Sequence, residues 1–106
     1  MKPELQPILT ELRERLTDLY GMRLQQMSLF GSQARGDSTP GSDIDILIVL
    51  LGEVDPAEEI ARTGGITSGI SLDHDVVVSC VFMSSDRYET EQSPLLLNIR
   101  RESVPV

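Results

Sequence analysis

The chain has 106 residues and carries 9 Lys and Arg against 17 Asp and Glu, a formal charge of −8. That length predicts one domain, residues 1–106, burying about 60 to 70% of its unfolded surface, and the acidity disfavours direct nonspecific binding to nucleic acid. A single cysteine, Cys80, excludes a disulfide or zinc framework, and with no basic leader and no apolar run long enough to cross a bilayer, the expected setting is the cytoplasm, off the membrane.

From the N-terminus, Pro3 suits a first helical turn. Leu5, Ile8, Leu9, Leu12, Leu16 and Leu19 follow at helical spacing, with Gly21 as a stop. This is a core stripe without chemistry. A short strand is predicted from near Leu24 to Phe30, after which Gly31-Ser32 turns the chain into one helical turn around Gln33 to Arg35. Glycine permits backbone angles and a close approach that a Cβ would forbid, so the freed N–H groups and the Ser32 hydroxyl can face an anion. Residues Asp37 to Gly41 form a flexible hinge.

The hinge leads into Ser42-Asp43-Ile44-Asp45-Ile46-Leu47-Ile48-Val49-Leu50. Asp43 and Asp45 stand at i and i+2, so on a strand they share a face, with Cα atoms about 6.5 Å apart. Leu47 and Val49 continue that face, while Ile44, Ile46, Ile48 and Leu50 line the other, the signature of a strand buried on both sides. Two carboxylates at the mouth of a buried strand repel by roughly 4 kcal/mol at about 4 Å and an effective dielectric of about 20. A hard cation with room for water and phosphate oxygens, Mg²⁺ rather than zinc, would relieve that repulsion. A glycine turn beside such a pair is what holding a nucleotide's phosphates against a divalent metal requires.

Downstream, Asp55-Pro56-Ala57-Glu58 reads as a helix start running through Ile60 and Ala61, with Gly64-Gly65 ending it and Thr63 to Ser71 forming a mobile loop. Val76 to Met83 reads as the next strand, with Cys80 inside it. His74 is expected to be a solvated loop residue. Ser84-Ser85-Asp86 can cap a short helix with Arg87 and Tyr88, and Ser93-Pro94 can open another carrying Leu96, Leu97 and Ile99. Arg100 and Arg101 fall in its last turn, where cations complement the helix dipole.

A Gly-Ser pair alone, or Asp-x-Asp alone, is common. Gly31-Ser32, ten residues, then Asp43-x-Asp45 in this strand context is specific, and it resembles the signature of the DNA polymerase β-like nucleotidyltransferase superfamily. With Ala34, Arg35, Gly36 and Ser42, and with Asp75-Val76-Val77-Val78-Ser79 and Ser93 to Glu102 further on, the chain is similar to the MNT (minimal nucleotidyltransferase) antitoxins paired with HEPN ribonuclease toxins. Ser103 departs from that pattern, which commonly has Gly there.

The resemblance implies an α/β (α+β) fold, a small mixed β-sheet flanked by helices. It also implies a third carboxylate from a neighbouring strand. The candidates are Asp73 and Asp75, and Asp75 matches better because it directly precedes the apolar run. On this basis Asp43, Asp45 and Asp75 would be catalytic and hold Mg²⁺, with Asp75 accepting the hydroxyl proton, while Gly31 and Ser32 bind the phosphates of ATP. Arg35 suits either a phosphate contact or a structural ion pair. The implied activity is transfer of AMP from ATP to a tyrosine hydroxyl of a partner HEPN toxin, in a hetero-oligomer with it. Two other readings stay open: an antitoxin that neutralises by binding alone, and transfer to a small molecule, as in aminoglycoside-modifying relatives.

Overall fold

The computed structural model describes residues 4–39 and 41–106, so Pro3 and its expected helical turn lie outside the described residues. The elements follow in the order α1 (Leu5–Tyr20), β1 (Leu24–Phe30), α2 (Ser32–Arg35), β2 (Ile44–Leu50), α3 (Pro56–His74), β3 (Val78–Ser84), α4 (Ser85–Thr90), α5 (Pro94–Glu102) and β4 (Val104–Pro105). A 3₁₀ turn, Gly21–Arg23, joins α1 to β1.

The four strands form one mixed sheet in the order β3-β2-β1-β4. β1 runs antiparallel to β2, β2 parallel to β3, and β4 antiparallel to β1. The parallel step needs a crossover, and α3 supplies it. β2 therefore sits inside the sheet with both faces covered, as its unbroken apolar run requires. Ile44, Ile46, Ile48 and Leu50 pack with Leu5, Ile8, Leu9, Leu12 and Leu16 of α1 and Ile70 of α3, while Leu47 and Val49 pack with Met83, Leu96 and Ile99.

Serine, aspartate and proline set the helix starts as their chemistry predicts. The Asp55 carboxylate accepts from the Ala57 and Glu58 amides ahead of Pro56, and the Ser84 and Ser93 hydroxyls accept from the amides of Arg87 and Leu96. The α1 stripe differs at its end: Leu19 is exposed and Tyr20 is buried in its place. The Tyr20 hydroxyl donates to Oε1 of the buried Glu59 at 2.6 Å, tying α1 to α3. Burial, reinforced by that carboxylate, holds the Tyr20 phenol well above its ordinary pKa.

The largest departure from the sequence reading lies in α3. Gly64-Gly65 does not end it, and residues Thr63 to Ser71 are helix rather than loop. A helical glycine costs only about 0.5 to 1 kcal/mol relative to alanine, and the burial of Thr63 and Ile70, with Ile66 packed against the same core, offsets that. His74 closes the last turn of the helix, and its Nε2 lies 3.4 Å from Glu11 Oε1 on α1, so it is not a free loop residue. The C-terminal residues also do more than trail away, since Val104 pairs with Leu29 and Pro105 with Ser28.

Candidate active site

Phe30, at the end of β1, is paired with Asp45 in the β1–β2 register, so the turn leaving Phe30 meets the acid-bearing end of β2. Gly31 holds φ 75° and ψ −158°, a conformation that side-chain-bearing residues avoid. The space is as restrictive as the angles. A Cβ on Gly31 would overlap Oδ2 of Asp45 and come within 3.3 Å of its carboxyl carbon. The Asp45 carboxylate therefore rests directly on the glycine, and the sequence pairing of glycine and acid becomes a physical contact.

After Gly31 the backbone curls into α2. The amides of Ala34 and Arg35 both donate to the Gly31 carbonyl at 3.1 Å, and Gly36, at φ 83°, ends the turn. The Ser32 and Gln33 amides at the start of this turn are not used by it, and the Ser32 hydroxyl has no hydrogen bond among the described residues.

Asp45 is half-buried and Asp43 exposed. Burial raises the Asp45 carboxyl above its ordinary pKa, repulsion from Asp43 adds to that, and the Arg35 guanidinium offsets part of it. Like charges are thus held together at a partly desolvated position. Two carboxylates are too few to enclose an ion, but Mg²⁺ is commonly held by one or two carboxylates plus water and substrate phosphates. The pair fits a Mg²⁺ that arrives with a triphosphate.

Arg35 is engaged by acids. Its Nε donates to Asp37 and its Nη1 to Glu102, each at 3.1 Å. The ion pair expected as one of its two roles is present.

Asp75 is not gathered with Asp43 and Asp45, and among the described residues no three His, Cys, Asp or Glu side chains group closely enough to hold one metal ion. The cause is the length of α3. The helix continues to His74, and Asp75 becomes its C-cap, in the left-handed region at φ 52° and ψ 50°. β3 starts only at Val78, and its register sets Ser79, not an acid, beside Asp45. Asp73, the other acid considered, lies within α3. Asp75 and His74 instead line a cavity of about 400 Å³ with Gln33, Ser42, Ile44 and Val77. Sequence reasoning also missed Ser79 and Glu102 as neighbours of the site, because both depend on long-range register.

The comparisons with known proteins agree with this fold. A family model described as "Nucleotidyltransferase domain" matches residues 9–91. A Methanocaldococcus jannaschii protein named "Putative protein adenylyltransferase" is 34% identical over 76 residues, which are 72% of this chain and 76% of the relative. Among solved structures, a Sulfolobus solfataricus protein described as "a putative nucleotidyltransferase" superposes with a TM-score of 0.68 at 21% identity, covering 96% of this chain and 78% of that one. A toxin–antitoxin complex with AMP-PNP gives a TM-score of 0.62 at 22% identity, over 89% and 68% of the two chains. A tri-AMPylated Shewanella oneidensis HEPN toxin in complex with MNT antitoxin gives 0.54 at 18%, over 92% and 70%. At these identities the structural likenesses establish the fold.

Proposed function

The chain belongs to the nucleotidyltransferase domain family, and from that premise we propose that it is a Mg²⁺-dependent protein adenylyltransferase of the antitoxin type, moving AMP from ATP to a tyrosine hydroxyl of a HEPN ribonuclease toxin. The observation that carries the reading is the seating of the Asp45 carboxylate on Gly31, with Asp43 beside it. One contact joins the acid pair to the turn whose unused amides suit phosphate. The adenylyltransferase name of the archaeal relative and the AMPylated toxin bound to an MNT antitoxin of this fold support AMP as the group moved and a toxin as its acceptor.

In this proposal the tyrosine oxygen attacks the α-phosphorus in line. The new P–O bond forms as the bond to the β-phosphate oxygen breaks, pyrophosphate leaves with the electron pair, and the phenolic proton is released. Asp43 and Asp45 would hold Mg²⁺, which neutralises phosphate charge when bound. Gly31 and Ser32 would anchor the outer phosphates through backbone N–H groups and a hydroxyl. Positioning and electrostatics supply most of the rate in such chemistry. Asp75, at the C-cap of α3, stands outside this acid pair.

Incubating the chain with its co-expressed toxin, Mg²⁺ and α-labelled ATP tests the proposal. Label should appear on the toxin and fall by about 100-fold or more with Asp43→Asn; an unlabelled toxin, or labelling indifferent to that change, refutes it. The rival reading is neutralisation by binding alone. Under that rival, Asp43→Asn and Asp45→Asn variants would still rescue growth of toxin-expressing cells.

A further inference from the structure

Glu102 is the last residue of α5, and its surroundings fix it from both sides. Upstream, Leu96 and Ile99 are fully buried against Leu47, Val49 and Met83. Downstream, the Ser103 amide donates to the Ile99 carbonyl at 2.8 Å, and Val104 then pairs with Leu29 on β1, next to Phe30 and the glycine turn. The backbone carrying Glu102 thus bridges the core of the C-terminal half and the strand that delivers Gly31.

From that shoulder the Glu102 carboxylate accepts from Arg35 Nη1 at 3.1 Å. Its side chain is 24% exposed, whereas Asp37, which accepts from Nε on the other side, is 61% exposed. Of the two acids, Glu102 is the fixed and shielded one. A guanidinium is planar and offers five N–H donors in a rigid fork, so two carboxylates gripping Nε and Nη1 set the orientation of the remaining edge. The Nη2 group has no partner among the described residues. The guanidinium is close enough to Asp45 for its charge to act on that carboxylate.

We propose that Glu102 is a positioning residue for nucleotide binding: it clamps Arg35 so that the open Nη2 edge of the guanidinium is presented to the triphosphate beside Asp43 and Asp45. The inference rests on the nucleotide reading given above. With the Arg35 side chain 46% exposed, the ion pair contributes little to stability, so the effect of Glu102 is to be sought in ligand affinity. By holding Arg35 in its bound orientation before ATP arrives, Glu102 removes an ordering cost from binding.

The test is calorimetric titration of ATP at saturating Mg²⁺ into the full chain and into Glu102→Gln, Arg35→Gln and the double variant, with melting midpoints alongside. Glu102→Gln should weaken ATP binding about 3- to 10-fold, the range expected for one side chain that must then be ordered on binding. Arg35→Gln should weaken it at least as much, and the double variant no further than Arg35→Gln alone. A purely structural Glu102 would lower the melting midpoint and leave that coupling at zero. Wild-type ATP affinity retained in Glu102→Gln, or losses that simply multiply in the double variant, would overturn the positioning role while leaving nucleotide binding intact. Failure of the unsubstituted chain to take up ATP would instead bring down the nucleotide reading, and this inference with it.

Discussion

Replacing Gly31 by alanine isolates the contact on which the site depends. Two costs arise. The backbone at φ 75° and ψ −158° is a region essentially restricted to glycine, and forcing another residue into it costs about 1 to 3 kcal/mol. The added Cβ also overlaps Asp45 Oδ2, which must swing away. For a domain of this size about 1 kcal/mol corresponds to roughly 4 to 8 °C, so the strain alone lowers the melting midpoint by about 4 to 24 °C. The displaced carboxylate is a separate loss, since a shift of about 1 Å at a reacting centre costs about 100-fold in rate. Gly52→Ala is the control, because Gly52 has φ 84° with nothing within 4 Å of its would-be Cβ and lies beyond the far end of β2. It should lose stability through strain and retain AMP transfer. Calorimetric melting and labelled-ATP transfer read the two effects apart. Should Gly31→Ala lose no more than Gly52→Ala in both assays, the Gly31–Asp45 contact would not be what organises the site.

Two further expectations concern pH and α3. Burial, with repulsion from Asp43, raises the Asp45 carboxyl in the folded chain above the ordinary value of 3.8, so the native state holds that proton more tightly than the unfolded state. The stability it contributes is complete below the ordinary pKa and is lost as pH rises through the raised one. Asp45→Asn should therefore melt above the wild type at pH 7, with the gap closing as pH falls below about 4; a gap that stays constant with pH would contradict this electrostatic account. In α3, Gly64 and Gly65 are helical, with open space where a Cβ would sit. The double change Gly64→Ala/Gly65→Ala should stabilise the chain by about 1 to 2 kcal/mol in urea titration, and destabilisation would place these residues outside a helix.

The half of the site that the sequence made legible is the half written locally. β1, the glycine turn, α2 and β2 are consecutive, and the acids fix which face of β2 meets α1: a one-residue slip would bury Asp45 on the α1 face. Gly31 meeting Asp45 was thus implied by spacing, although the closeness of that contact was not. β3 is different, because its register with β2 depends on where α3 stops. Reading Gly64-Gly65 as punctuation shortened the helix and gave Asp75 a strand-like position; the recurrence of Thr63, Ile66 and Ile70 on one helical face carried the opposite signal. Ending α3 at His74 makes Asp75 a cap and brings Ser79 to Asp45 instead.

Arg35 has two readings from sequence for the same physical cause. Its partner Glu102 lies 67 residues away in sequence, and no local pattern links the two. Only the packing of α5 on β2 and the return of β4 to β1 bring that carboxylate to the glycine turn. Composition and periodicity therefore report what each element buries, and a motif within one hairpin inherits that reliability. A charge pair across the fold, or an acid whose position follows from the length of a crossover helix, depends on every element between its members, so an error of a few residues in one helix is enough to reassign the side chain beside Asp45.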